Sequence, residues 1–177
     1  MCIRDSPKDQ FFIPLNYYPP EEVGADRIVN AVAALTLYHC PAIVVDFGTA
    51  TTFDVVSGKG EYEGGVIFPG IGIASEALFS RTAKLPRVEF RRPEKVIGQS
   101  TEESIQSGLY FGYVNMIKGI LGQLKEEVPG AVVIATGGFA GMIGRENPGL
   151  FEYVEEDLTV KGLKICYDRF RQNAPGQ

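Results

Sequence analysis

The sequence is poor in the residues that hold structural metal ions or cross-link small domains. Its three cysteines, Cys2, Cys40 and Cys166, are far apart and form no CxxC pair, and His39 is its single histidine. Structural zinc sites need clustered cysteine or histidine ligands, and disulfide frameworks need an even set of spaced cysteines. Neither is expected here, and His39 fits a loop residue after a helix better than a catalytic group.

The chain also lacks a surplus of positive charge and a long uninterrupted apolar run. Its 17 lysines and arginines are outnumbered by 22 acidic residues, for a net charge of -5, so neither nucleic acid nor a membrane is expected as a partner. The uncharged stretch 28–45 contains Asn30 and Pro41, which fits a helix followed by a buried strand better than a membrane span. Residues 1–7 lack the apolar core of a signal peptide. These absences predict a reduced, cytoplasmic setting.

What is present predicts an α/β fold. With 177 residues, 45% of them hydrophobic, the chain can form one domain, or a domain and a piece of another. Runs rich in β-branched and aromatic residues, separated by glycine turns, predict an antiparallel meander of three strands. The predicted elements are a helix over 28–38, strands over 43–46, 51–57 and 62–68, helices over 76–79 and 101–125, a strand over 131–135, and helices over 140–143 and 158–170.

The helix over 101–125 has the clearest pattern. Ser100 and Glu103 form a capping-box pair at its start, and apolar residues recur every three or four positions after it. Glycine lowers helix propensity by up to about 1 kcal/mol per residue. We therefore expect the four glycines of this helix to permit close packing against another helix or a second subunit; they are Gly108, Gly112, Gly119 and Gly122.

The segment 44–54 carries the most informative motif. A β-branched run leads into Asp46, and Gly48 and Thr49 follow in the turn, with two more threonines after them. A carboxylate at a strand end can bind a cation, and a glycine turn with hydroxyl groups can approach an anion. An ordinary hairpin turn explains the same residues, so the local pattern leaves both interpretations open.

A second motif, Gly24-Ala25-Asp26-Arg27, stands at the start of the first predicted helix. The motif places an acidic and a basic side chain together near a helix start, where Asp26 can also be only a helix cap and Arg27 its salt-bridge partner. Glycine runs at 64–70 and 136–138 follow further downstream.

In this order and spacing, the four motifs make the chain resemble type III pantothenate kinase from about Tyr17 to about Phe170. The resemblance implies a ribonuclease-H-like fold of the actin, Hsp70 and sugar kinase superfamily, in which two such halves form the enzyme. Residues 11–40 are expected to be the edge of the first domain, 41–172 the second domain and 173–177 a tail.

Residues 1–10 do not resemble the family, and we expect them to be an artefactual leader. Family members begin with a strand that ends in an Asp-Xaa-Gly-Asn-Thr phosphate loop, and no such sequence precedes Tyr17. The resemblance therefore implies an N-terminally truncated chain with little activity by itself.

The chemistry implied by the resemblance is ATP-dependent phosphorylation of pantothenate, the first step of coenzyme A synthesis, in a homodimer. Asp26 is expected to accept the proton of the pantothenate hydroxyl. Asp46 is expected to bind a monovalent cation, potassium or ammonium, and Thr49 to contact ATP, which brings magnesium. The residues expected to bind pantothenate are Tyr17, Gly24, Ala25, Asp26, Arg27 and Thr101.

Other interpretations of these residues stay open. Tyr17 can be a packing aromatic and Thr101 a first-turn residue. A non-catalytic accessory factor that supports transcription, or a dimerising fragment that binds no nucleotide, would also fit the fold. The kinase is favoured because a purely structural protein has no chemical need for all four of Asp26, Arg27, Asp46 and Thr49.

Overall fold

The computed structural model of the protein describes residues 12–81 and 85–173, so the predicted leader and most of the predicted tail lie outside the described residues. A short 3-10 helix, Pro20–Glu22, comes before the regular elements. These are α1 (Ala25–Leu37), β1 (Ala42–Phe47), β2 (Ala50–Val56), β3 (Tyr62–Pro69), α2 (Ile71–Ser80), α3 (Thr101–Glu127), β4 (Val132–Gly137), α4 (Ala140–Glu146), β5 (Tyr153–Val154) and α5 (Leu158–Asn173).

The strands form one mixed sheet in the order β3-β2-β1-β4-β5. β1, β2 and β3 pair antiparallel, which confirms the predicted meander, whereas β4 pairs parallel to β1 and to β5. A parallel partner requires a long crossover, which α2 and α3 provide between β3 and β4. The α/β prediction is confirmed. β5 was not predicted, because two residues are too few to show a hydrophobic period.

Helices cover both faces of the sheet, and strand alternation decides which side chains meet them. One face of β1, formed by Ile43, Val45 and Phe47, belongs to a core cluster with α3 and α4. The other face contributes Ala42 and Val44 to a second cluster with α1 and α5. Asp46 continues this second row, so its side chain points toward the α1 and α5 layer.

The predicted start of α3 is confirmed by its cap. Ser100 Oγ accepts a hydrogen bond of 3.2 Å from the backbone N–H of Glu103, and the Glu103 carboxylate accepts one of 2.7 Å from the N–H of Gln99. The first bond satisfies an N–H group that the first helical turn leaves without a partner, and the second ties down the N–H of the residue before the cap. The apolar stripe behind the cap, with Leu109, Tyr113 and Ile117, is buried against the sheet.

The four glycines of α3 do not touch another helix of the same chain. No described atom lies within 4 Å of a Cβ built on any of them. The described chain therefore places no close neighbour against these glycines, and their contact with a second subunit stays a prediction. Close helix packing occurs instead at Gly162 of α5, where a Cβ would lie 2.3 Å from the carbonyl oxygen of Val29 in α1.

Among the described residues, α3 is the longest helix, with 27 residues. Neither it nor any other helix in the described ranges combines the length and apolar character needed to cross a membrane.

We predict that Gly162→Ala destabilises the fold by about 1–3 kcal/mol, because the added methyl group overlaps the backbone of α1 and forces the two helices apart. Urea denaturation followed by circular dichroism measures the change. Gly119→Ala is the matched control, since a Cβ there meets no described atom within 4 Å, and it is expected to raise stability by up to about 1 kcal/mol. Equal effects of the two variants would contradict the packing described here.

Candidate active site

The candidate site lies at the sheet edge where the parallel strands β1 and β4 end. Asp46 stands opposite Thr136 in the parallel register, and Phe47 stands opposite Gly137. Ligands of open α/β sheets bind outside the carboxyl ends of parallel strands, because the following loops and helix N-termini converge there. The sequence motifs at 44–54 and 136–138 are thus adjacent in the fold.

Asp46 is held from the α1 side of the sheet. Its Oδ2 accepts a hydrogen bond of 2.9 Å from Asn30 Nδ2, and Asn30 Oδ1 accepts one of 2.7 Å from the Thr159 hydroxyl of α5. Burial raises the pKa of Asp46, the negative charges of Asp26 and Asp54 raise it further, and the bond from Asn30 acts in the opposite direction. A cation beside this carboxylate would therefore relieve an unfavourable charge.

Two glycines leave space around the second oxygen of Asp46. A Cβ at Gly137 would lie 2.7 Å from Asp46 Oδ1, and one at Gly48 would lie 3.6 Å from it. Gly137 also has a φ of +89°, in the left-handed region that favours glycine. A side chain at Gly137 would crowd the oxygen that faces the turns, whereas one at Gly48 would make only an ordinary contact, so Gly137 is the glycine that keeps this oxygen accessible.

Asp26 and Arg27 do not form the salt bridge that the structural interpretation expected. Asp26 is exposed in the first turn of α1, and its Oδ1 accepts a 2.9 Å hydrogen bond from the backbone N–H of Arg27. Arg27 is only 7% exposed and pairs with Asp54 of β2, with 2.6 Å between Nε and Oδ1. The acid and the base of the motif therefore point to different surroundings, one open and one buried.

Asp54 is the centre of a buried polar cluster that sequence reasoning missed. Besides Arg27, it accepts hydrogen bonds from Tyr62 Oη at 2.9 Å and Thr52 Oγ1 at 2.8 Å. Burial raises the pKa of Asp54, and all three donors act in the opposite direction because they favour the charged form. The signal available in the sequence was the single charged residue of this strand, which needs a partner when buried.

Two of the other predicted residues, Tyr17 and Thr49, lie near different parts of the site. Tyr17 lies beside the cluster, with its ring centroid 6.1 Å from that of Tyr62, and its ring is next to Gly64. Thr49 is exposed in the turn between β1 and β2, where its carbonyl oxygen is next to Gly70.

Thr101 lies elsewhere. It is the first residue of α3, on the opposite side of the sheet from Asp46, and it is exposed. It lines an open groove with residues of α3 and the preceding loop. One chain therefore brings together Tyr17, Asp26, Arg27 and Asp46, but not Thr101.

The acidic side chains of the site do not form a complete divalent metal centre. Within residues 12–81 and 85–173, no three histidine, cysteine, aspartate or glutamate side chains are grouped so that they could hold a metal ion. A monovalent cation needs fewer carboxylates, because carbonyl and hydroxyl oxygens can complete its shell. Asp46 fits that smaller requirement.

The family model described as type III pantothenate kinase matches residues 2–123. The chain belongs to this family. Type III pantothenate kinases from Koribacter versatilis and Moorella thermoacetica are 56% and 54% identical to it, over 91% and 89% of this chain. The chain spans 59% and 62% of these two relatives, which is about three fifths of their length. The predicted family is confirmed, and the match begins inside the opening segment that was expected to be unlike the family.

A solved structure from Campylobacter jejuni, described as a conserved Baf family transcriptional activator, has a similar fold. It superposes with a TM-score of 0.57 at 21% identity, over 93% of this chain and 71% of that one. At this identity the likeness concerns the fold alone.

We predict that Gly137→Ala destabilises the fold by about 1–3 kcal/mol, because it places a side chain at a positive φ. The added methyl would also meet the Phe47 carbonyl and Asp46 Oδ1 at 2.7 Å each. Gly138→Ala is the control, since nothing described lies within 4 Å of its Cβ. Urea denaturation of both variants measures the free energy of unfolding. A loss of stability in Gly138→Ala as large as that in Gly137→Ala would contradict this account of Gly137.

Proposed function

We propose that the protein phosphorylates pantothenate at its primary hydroxyl with ATP as the donor, the first step of coenzyme A synthesis. One observation carries this proposal. An exposed carboxylate, Asp26, and a buried guanidinium, Arg27, belong to consecutive residues at the start of α1, the helix that also bonds to Asp46. Phosphoryl transfer needs a positioned hydroxyl, an acceptor for its proton and charge stabilisation more than covalent help. Family membership supports assigning those roles to these residues.

Asp26 is the proton acceptor in this proposal. Its carboxylate is exposed and fixed at the N-terminus of α1 by the bond from the Arg27 backbone. A Cβ at Gly24 would lie 2.5 Å from Asp26 Oδ1, so the glycine leaves room for the carboxylate in this position. Gly24, Ala25 and Arg27 would then hold pantothenate next to the acceptor.

The nucleotide side of the site consists of Asp46, Thr49 and the turn at 136–138. Asp46 would hold a monovalent cation, which would neutralise charge near the ATP phosphates. Thr49 would contact ATP from its exposed turn, and the 136–138 turn would approach the adenosine. Magnesium would arrive with ATP, whose phosphate oxygens are ligands that this ion prefers.

The remaining phosphate contacts belong, in this proposal, to the additional segment that the relatives carry. Residues 11–40 would be the edge of the first of two ribonuclease-H-like halves, and 41–172 the second. The completed enzyme would consist of this chain joined to that segment, which in this proposal carries the Asp-Xaa-Gly-Asn-Thr phosphate loop.

A homodimer is the second part of the proposal, and an apolar groove along α3 supports it. Gly108 and Gly112 line this groove with Phe68, Leu109 and Tyr113. The groove continues along Leu78, Gly98, Thr101 and Ile105. Gly108 and Gly112 have open space above them, so a second copy can approach closely. Thr101 of one subunit would then complete the pantothenate site of the other.

We predict that Asp26→Asn lowers the turnover of the completed enzyme by roughly 10²–10⁴-fold, because the amide keeps the size of the side chain but cannot accept the proton. A coupled assay of ADP release measures the rate. Glu21→Gln, a change in an exposed residue of the preceding 3-10 helix, is the control and should keep the parent rate. If Asp26→Asn keeps the parent turnover, Asp26 has only a structural role in the first turn of α1. If the completed enzyme shows no activity, the proposed function is contradicted.

We also predict that Gly112→Leu weakens dimer association by about 1–3 kcal/mol through steric overlap in the groove. Light scattering over a concentration series measures the association. Lys118→Leu adds the same side chain to an exposed position of α3 that does not line the groove, and it should leave the dimer intact. A folded parent chain that is monomeric at all concentrations would remove the dimer from the proposal.

A further inference from the structure

The buried pair of Arg27 and Asp54 leaves part of the guanidinium without a partner. Nε donates to Asp54 Oδ1, but Arg27 Nη2 is buried and has no hydrogen-bond acceptor. The whole residue is only 7% exposed. A guanidinium usually engages a carboxylate through two parallel N–H groups, whereas here Asp54 accepts only from Nε and the buried Nη2 has no acceptor.

This arrangement is unfavourable for stability alone. A buried ion pair offsets its desolvation only when the remaining donors find acceptors, and a buried donor without one is destabilising. Buried polar groups that stay unsatisfied in a native structure call for a ligand, a water molecule or a functional explanation. Since Arg27 follows directly after Asp26, an acceptor oxygen brought by the substrate is the explanation that the position favours.

Three contacts fix Asp54 itself. Tyr62 donates to the same oxygen that receives Arg27, and Thr52 donates to the other oxygen. Burial raises the pKa of Tyr62, and the charge of Asp54 raises it further, so the hydroxyl stays protonated and donates. With both oxygens engaged from β2 and β3, the carboxylate is held from two strands and can fix the Nε side of Arg27.

Tyr62 also connects the arginine to the predicted substrate residues. The Arg27 guanidinium carbon lies 5.7 Å from the centroid of the Tyr62 ring, and the ring of Tyr17 lies 6.1 Å from the same ring. Arg27 is thus bounded by Asp54 on one side and by the ring of Tyr62 on another. Little freedom remains for the side chain to turn away and satisfy Nη2 elsewhere.

We propose that Asp54 and Tyr62 are positioning residues, which grip Arg27 through Nε and so keep Nη2 directed at an oxygen of the substrate, a carboxylate or amide carbonyl oxygen of pantothenate. This inference rests on the proposed function. Neither residue touches the substrate; both act through the arginine, and Thr52 supports them by holding the second oxygen of Asp54.

Steady-state kinetics of the completed enzyme tests the proposal with two variants. Asp54→Asn removes the charge that holds Arg27, and we expect the pantothenate KM to rise roughly 10–100-fold, because misplacing one binding group is enough for such a loss. Tyr62→Phe removes one bond but keeps the ion pair, and a rise of roughly 3–10-fold is expected. The ATP KM should stay at the parent value in both.

Val56→Ala is the matched control. Val56 is fully buried on the same face of β2 as Asp54, so its truncation lowers the melting temperature without removing a contact to Arg27. It should leave the pantothenate KM unchanged. In an Arg27→Lys background, which lacks the fork, Tyr62→Phe should raise the KM by less than it does in the parent, because its effect passes through the arginine.

A second readout needs no activity. The Nε–H proton of Arg27, followed by nuclear magnetic resonance in the 177-residue chain, should exchange slowly with water and lose that protection in Asp54→Asn. Equal exchange rates of this proton in the parent and in Asp54→Asn would overturn the proposal that Asp54 holds Arg27. This result would count even if Asp54→Asn were too inactive for kinetics.

The outcomes separate this inference from the proposed function. An active completed enzyme whose pantothenate KM is the same in parent, Tyr62→Phe and Asp54→Asn overturns the positioning role and leaves the kinase assignment intact. No phosphorylation of pantothenate by the completed parent overturns the proposed function and the substrate part of this inference together. Protected, Asp54-dependent exchange would still support the grip in that case.

Discussion

The ion pair between Arg27 and Asp54 ties the first turn of α1 to the second strand of the sheet, and the candidate site depends on that tie. Arg27 directly follows Asp26 in the sequence. The ion pair that holds Arg27 therefore also fixes the position of the exposed Asp26 carboxylate. One turn later, Asn30 bonds to Asp46 at the end of β1. Two successive turns of α1 are thereby attached to two neighbouring strands, β2 and β1. An isolated helix start would fray, whereas this one is held by buried charge and by a hydrogen bond that crosses the layer.

Local patterns in the sequence were sufficient for most of the fold. The capping residues of α3, the β-branched runs of β1 and β2 and the glycine turns each act over a few residues, so they can be recognised without knowing the rest of the chain. The partner of Arg27 could not be recognised in this way. Asp26 is adjacent in sequence, but Asp54, 27 positions away, is the residue that packing brings to Nε. Long-range pairing of charged groups depends on strand register, which no local pattern specifies.

The glycines illustrate the same limit. Gly108 and Gly112 looked like packing residues because they interrupt a helix, yet nothing in the described chain touches them. Gly162, which interrupts a less regular pattern, is the glycine that α1 approaches closely. Composition shows that a helix tolerates glycine, but only the arrangement of neighbouring elements shows what the missing side chain is for. Open space above a glycine with apolar neighbours therefore indicates a contact with a second polypeptide rather than packing within the first.

Thr101 shows why a second polypeptide matters for the chemistry. The sheet separates the start of α3 from Asp26 and Asp46, since α3 packs on the face of β1 opposite to the one that carries Asp46. Groups on opposite faces of a packed sheet can meet only around an edge of that sheet or through a second copy of the chain. In the proposed dimer, Thr101 would bind pantothenate in a site whose Asp26 belongs to the other copy. Subunit association would then assemble the site, and the exposed groove along α3 would be the surface through which one subunit reaches the other's substrate.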